Sequence, residues 1–159
     1  MDWQLEFLFV TRVAVATVLG AFIGLEREMH RRPAGLRTYA AVSMGACMFA
    51  LISQHIPGVV DPSRMAANIV TGVGFLGAGM ILRDGDRTHG LTTAATVWAT
   101  AAVGAAVGFG MYVLGSLGAL STLALLALHH LPWLKRPDRS FEAGAQRTIK
   151  DHQEADLDE

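Results

Sequence analysis

Five long apolar blocks, each close to a bilayer's thickness and separated from the next by charges, limit what this chain can become. A run of about 18 or more apolar residues reads as a membrane span rather than as part of a soluble core. The blocks are Glu6–Leu25, Leu36–Ile56, Met65–Leu82, Leu91–Phe109 and Met111–Leu131. The third is the shortest and the richest in glycine; at about 1.5 Å per residue it reaches about 27 Å, just enough to cross. The expected fold is therefore all-α: a five-helix transmembrane bundle over residues 1–134, followed by a polar tail at 135–159. That tail ends "DHQEADLDE" and is too short and too polar to bury a core of its own.

The bases alternate in step with the spans. Arg27, Arg31 and Arg32 lie between the first two blocks, with Arg37 at the very start of the second, and only Arg64 lies between the second and third. Arg83 and Arg87 follow the third, none follows the fourth, and Lys135, Arg136, Arg139, Arg147 and Lys150 follow the fifth. By the positive-inside rule the N-terminus is outside and the C-terminus cytoplasmic. Trp3 and Trp133 fall where aromatic side chains anchor at the two interfaces. The start, "MDWQLEF", has no basic n-region and no small-residue cleavage site after it, so the first block reads as a retained span.

Composition removes several function classes. The net charge of −1, with no basic stripe interleaved with aromatics, gives no reason to expect a nucleic-acid partner. The single cysteine, Cys47, lies inside an apolar block and reads as a small buried residue. No serine or cysteine nucleophile motif and no Walker A loop is present. The six histidines are scattered without zinc-ligand spacing, and His129 and His130 diverge if helical. No enzyme activity and no cofactor is expected.

"VTGVGFLGAGMIL" tests this reading. Gly72, Gly74 and Gly77 spell G-x-G-x-x-G, the dinucleotide fingerprint. That fingerprint needs a strand before it, a helix after it and an acid about 20 residues on. Asp84 and Asp86 come too soon and the next acid is Asp138, far too late, so the nucleotide reading fails. In lipid, helices associate by close backbone approach at small residues, and Gly72, Gly74, Gly77 and Gly79 make this span one that neighbours can approach. Asn68, one turn before Gly72, is expected to point into protein.

Two other spans carry small-residue faces at i+4 spacing. On the first, Arg12, Ala16, Gly20 and Gly24 share a face; Arg12 either faces the bundle interior or snorkels to the outer interface. On the fourth, Thr92, Thr96, Thr100, Gly104 and Gly108 share a face. That stripe serves tight packing, or else lines a narrow polar pathway. At the inner surface Glu26, Arg27, Glu28, Arg37 and Thr38, with Asp84 in the other inner loop, form a charged cluster. It is either a solvated rim or a contact for an ion or partner. A Mg²⁺ site there would rest on one or two carboxylates and retained water, and no metal site is assigned. No Asp or Glu lies at mid-span, which argues against a cation pump.

Three blocks in order then carry a resemblance: "GAFIGLEREMHRRPAGLRTYAAVSMGA", "GVGFLGAGMILRDG" and "GLTTAATVWATAAVGAAVG". Over roughly Leu19 to Leu114 the chain resembles the N-terminal membrane domain of the MgtC/SapB family of bacterial inner-membrane proteins. The positions that carry it are Gly20, Gly24, Glu26, Arg27, Glu28, Gly35, Arg37 and Thr38, then Gly72, Gly74, Phe75, Gly77, Gly79, Gly90, Thr92, Thr93, Ala94 and Trp98. The resemblance implies a multi-pass inner-membrane protein tied to growth at low magnesium and survival inside host cells. It further implies a regulator rather than a magnesium carrier, with the membrane ATP synthase as a partner proposed for the family. Longer members add a cytoplasmic ligand-binding domain, where this sequence has its short tail. The leading expectation is a non-enzymatic, partner-binding protein in the lipid bilayer, paired as a homodimer through its surplus glycine faces. The rival is a transporter or channel for Mg²⁺ or another small solute.

Overall fold

The computed structural model describes residues 2–55, 61–84 and 87–128, with five helices in that part of the chain: α1 (Trp3–Met29), α2 (Leu36–His55), α3 (Pro62–Met80), α4 (Leu91–Gly108) and α5 (Tyr112–Ala127). Three of them, α1, α2 and α4, are long and apolar enough to cross a membrane. α3 has the length, but its glycines, Arg64 and Asn68 lower its hydropathy; the described part of α5 is apolar and shorter. Trp133, His129, His130, Asp86 and the 135–159 tail lie outside the described residues.

The helix ends follow local chemistry. Asp2 caps α1 by accepting from the Gln4 N–H at 3.1 Å, and Asp61 caps α3 by accepting from the Ser63 N–H at 2.9 Å, with Pro62 in the first turn. α1 runs four residues past the expected Leu25, because "EREM" consists of good helix formers. Glu26, Arg27 and Glu28 are therefore helical rather than loop residues. α1 stops where Arg31 turns left-handed (φ 52°), with the Arg32 N–H bonded back to the Arg27 carbonyl at 3.0 Å. Glu28 then reaches over the connection, and its Oε2 accepts from the Leu36 N–H at 2.9 Å, satisfying the first turn of α2.

α3 ends at Met80, short of the expected Leu82. Leu82–Asp84 (β1) and Arg87–His89 (β2) instead pair as an antiparallel ribbon, Leu82 opposite His89 and Asp84 opposite Arg87. The D-G turn signal in "RDGD" was available in the sequence, but a hairpin was not drawn from it. Gly90 follows with φ 88°, and a Cβ there would collide with the Met80 carbonyl, so only glycine fits.

The core is where α1, α2 and α4 meet, with α3 against α4 and α2. Ile23, Tyr39, Ala46, Val97, Ala101 and Val103 fill one part, and Ala16, Cys47, Leu51 and Val107 another. α5 lies against α4 at Gly115, whose added Cβ would stand 2.8 Å from Val107 Cγ2. The contacts fix helix directions. Gly24 and Gly20 of α1 meet Leu36 and Ser43 of α2, so that pair is antiparallel; Ser43 and Cys47 meet Gly104 and Gly108, so α2 and α4 run parallel. This is the relative order that the charge alternation requires. Phe7, Phe22, Phe49, Phe75, Val113 and Leu120 stand exposed, which suits a surface bathed in lipid.

Candidate functional site

Ser43 is the meeting point of three helices. A Cβ at Gly20 would stand 2.6 Å from the Ser43 Cβ, and one at Gly104 would collide with the Ser43 carbonyl. α2 is thus held between glycines of α1 and α4, its backbone close to both. Gly24 and Gly108 extend the contact: Cβ atoms there would come within 2.7 Å of Leu36 Cα and 2.6 Å of the Cys47 carbonyl oxygen. The stripes of α1 and α4 therefore lie on helix–helix contacts.

Polar groups run through this packing. Tyr39, fully buried, lies 2.6 Å from Thr96 Oγ1. Thr96 gives its own hydrogen to the Thr92 carbonyl at 2.9 Å, so Tyr39 is the donor. Thr100 donates to the Thr96 carbonyl at 2.8 Å. Thr96 and Thr100 are buried among α1, α2 and α4, while Thr92 is exposed. The Thr96 and Thr100 hydroxyls are taken up by their own helix and by Tyr39. Toward the predicted inner end, Arg27 is 5% exposed and its Nη2 donates to Thr93 Oγ1 at 3.2 Å. Among the described residues three buried side-chain polar atoms have no partner: Arg27 Nε, Glu26 Oε2 and Ser43 Oγ.

Arg12 occupies the other end. Its Nη1 donates to the Gly108 carbonyl at 2.9 Å and its Nε to the Tyr112 hydroxyl at 3.3 Å. Gln54 Nε2 donates to the same Gly108 carbonyl at 2.9 Å. The side chain is half-buried, and its hydrogen bonds tie α1 to the end of α4 and the start of α5. It satisfies the last carbonyl of α4, that of Gly108, where the helix dipole favours a cation.

The charged cluster at the inner end is only partly assembled. Glu26 Oε1 lies 3.1 Å from His30 Nδ1, Glu28 caps α2, and Arg27 is buried toward α4. Arg37 is exposed, Thr38 is half-buried, and Asp84 sits exposed on β1. Among the described residues no group of three or more His, Cys, Asp or Glu stands together.

α3 departs most from expectation. A Cβ at Gly72, Gly74 or Gly79 would meet nothing within 4 Å, and one at Gly77 would meet only Ala94, at 3.7 Å. Close packing of α3 glycines inside the chain is thus corrected: α3 turns Ile69, Val73 and Gly77 inward and leaves Gly72, Gly74 and Gly79 exposed. Asn68, expected to face protein, is exposed on the lip of an apolar groove of about 500 Å³ between α2 and α3, beside Gly45, Phe49, Gly72 and Leu76. Tyr39, Ser43 and Gln54 were not singled out from sequence, although Tyr39, Ser43 and Cys47 repeat at i+4 as plainly as the stripes that were.

A bundle of apolar helices joined through glycine and buried hydroxyl contacts defines an integral membrane protein. The chain matches the MgtC family over residues 13–135, and it belongs to that family. It is 44% identical over 130 residues to the putative magnesium transporter YhiD of Escherichia coli, covering 77% of this chain and 60% of that one. It is 37% identical over 154 residues to protein SapB of Bacillus subtilis, covering 89% and 66%. It is 44% identical over 119 residues to protein MgtC of Brucella abortus, covering 75% and 49%. The chain thus spans between about half and two thirds of the length of these curated relatives. No solved structure matches it.

Proposed function

We propose that this protein is a non-enzymatic membrane protein of MgtC type that works by binding a membrane partner, in adaptation to low magnesium or to life inside a host. The observation that carries the reading is the closure of the α1–α2–α4 interior. Its glycines stand against backbone, and its buried threonine hydroxyls are spent on helix carbonyls and Tyr39. Such an interior suits a rigid scaffold, which presents contact surfaces and carries no solute through its middle. The open glycine face of α3 and the groove beside it supply a surface in the bilayer for a second copy of the chain or another membrane protein. The ATP synthase proposed for the family is one such protein. The inner membrane, with the C-terminus in the cytoplasm, is the setting that the charge alternation supports.

A transporter for Mg²⁺ or another small solute is the second reading, favoured by the name of the Escherichia coli relative. Flux into sealed vesicles holding the pure protein separates the two. The scaffold reading expects no saturable uptake. Saturable uptake abolished by Arg12→Ala would establish transport instead. Cross-linking through Gly74→Cys in native membranes tests the surface: a product of twice the chain's mass is expected, and a monomer alone removes the homodimer.

A further inference from the structure

Arg27 is a cation buried to 95% whose side chain makes, among the described residues, one hydrogen bond, to a threonine hydroxyl. An unpaired buried charge is costly, and its usual remedy is a counter-ion. Neither neighbouring acid pairs with it: Glu26 Oε1 meets His30 while Glu26 Oε2 is buried without a partner, and Glu28 Oε2 accepts from the Leu36 N–H. The threonine it meets, Thr93, is in the first turn of α4. There the unpaired N–H groups and the helix dipole add positive potential to that of the guanidinium.

This helix start has no cap of its own. Its N-cap is Gly90, which makes no side-chain bond, and the collision with Met80 bars any larger residue. Leu91 and Thr92 are exposed, so the turn is reachable from outside while Arg27 backs it from within. Helix N–H groups beside an arginine are the chemistry that recognises an oxyanion.

We propose that the first turn of α4, backed by Arg27, binds a phosphate group. The phosphate is either that of a lipid headgroup or free phosphate. Arg27 Nε and the N–H groups of Leu91, Thr92 and Thr93 donate to its oxygens, and Thr93 positions the guanidinium. The proposal is independent of the partner-binding reading above.

The test uses the full chain in a maltoside detergent and phosphate-free buffer, titrated separately with inorganic phosphate and with short-chain phosphatidylglycerol. Chloride at equal ionic strength is the control. The expected result is a saturable rise in Tm in one arm, with amide shifts concentrated at Leu91, Thr92 and Thr93; the responding arm identifies the source. Arg27→Gln and Thr93→Val should each weaken the response at least tenfold, with Arg27→Lys retaining part of it. Thr93→Val carries the comparison if Arg27→Gln does not fold. No response in the wild type beyond chloride overturns the proposal and leaves Arg27 to water. A response undiminished in the variants, or amide shifts elsewhere, overturns it equally.

Discussion

Gly104 and Gly74 are the same residue type in apolar helices of similar length, yet they do opposite things. Gly104 is pressed against the Ser43 carbonyl, and Gly74 faces nothing. A glycine in a membrane helix permits close approach without requiring it. Whether a neighbour comes depends on what the rest of that face offers. α4 presents Thr96, Thr100 and Gly104 to a partner helix with complementary Tyr39 and Ser43. α3 sets its inward apolar residues against α4 and leaves its smallest ones outside. One seam is finished within the chain; the other is open.

Substitutions on both sides put that contrast at risk. Gly104→Ala adds one carbon where a backbone oxygen stands, and should cost about 3 kcal/mol or more, seen as lost expression or a collapsed Tm in detergent. Gly74→Leu should stay within about 0.5 kcal/mol of wild type in the same melt. If it alters anything, it should alter oligomer size in native membranes. Equal damage from both would erase the distinction.

Thr96→Val leaves the buried Tyr39 hydroxyl without its acceptor, for an expected loss of about 1–3 kcal/mol. Tyr39→Phe with Thr96→Val together should cost less than Thr96→Val alone, because neither partner is then orphaned. Arg12→Met, at the end of the finished seam, removes the cation from the α4 C-terminus and should cost about 1–2 kcal/mol by thermal melt.

The smallest effect belongs to the open helix. Hydrogen bonding from Ser63 holds the Asp61 carboxyl below its ordinary value. A group lowered on folding stabilises above its unfolded value and loses that contribution as pH falls through the folded one. Protection of the first-turn amides of α3, measured against the intrinsic exchange rate at each pH, should therefore fall on acidification. In Asp61→Asn, which keeps a capping oxygen without titrating, that pH dependence should disappear.

The helices, their order and their relative directions were legible because long apolar blocks and arginine spacing are strong one-dimensional signals. The stripes of α1 and α4 were legible for the same reason, since i+4 spacing defines a face. The occupant of each face was not. Nothing local distinguishes Gly104, which meets Ser43, from Gly72, where an added Cβ would meet none of the described residues within 4 Å. Arg12 was readable as an intramembrane cation, but its acceptor lies on α4, and only the folded chain brings the two together. The extension of α1 through Met29 was missed because charge was read as loop, although Glu, Arg and Met favour helix.

One consequence follows from the two arginines of α1. Arg12 and Arg27 are separated along α1 by the same number of residues as their partners Gly108 and Thr93 along α4, in the reverse direction. The pair of helices is pinned at both ends like a ruler clamped against its copy. Sliding α1 by one turn would break both pins at once, so the two hydrogen bonds together oppose a piston stroke between these two helices. Among the described residues α3 carries no side-chain hydrogen bond to another helix, so nothing of this kind fixes its register against its neighbours.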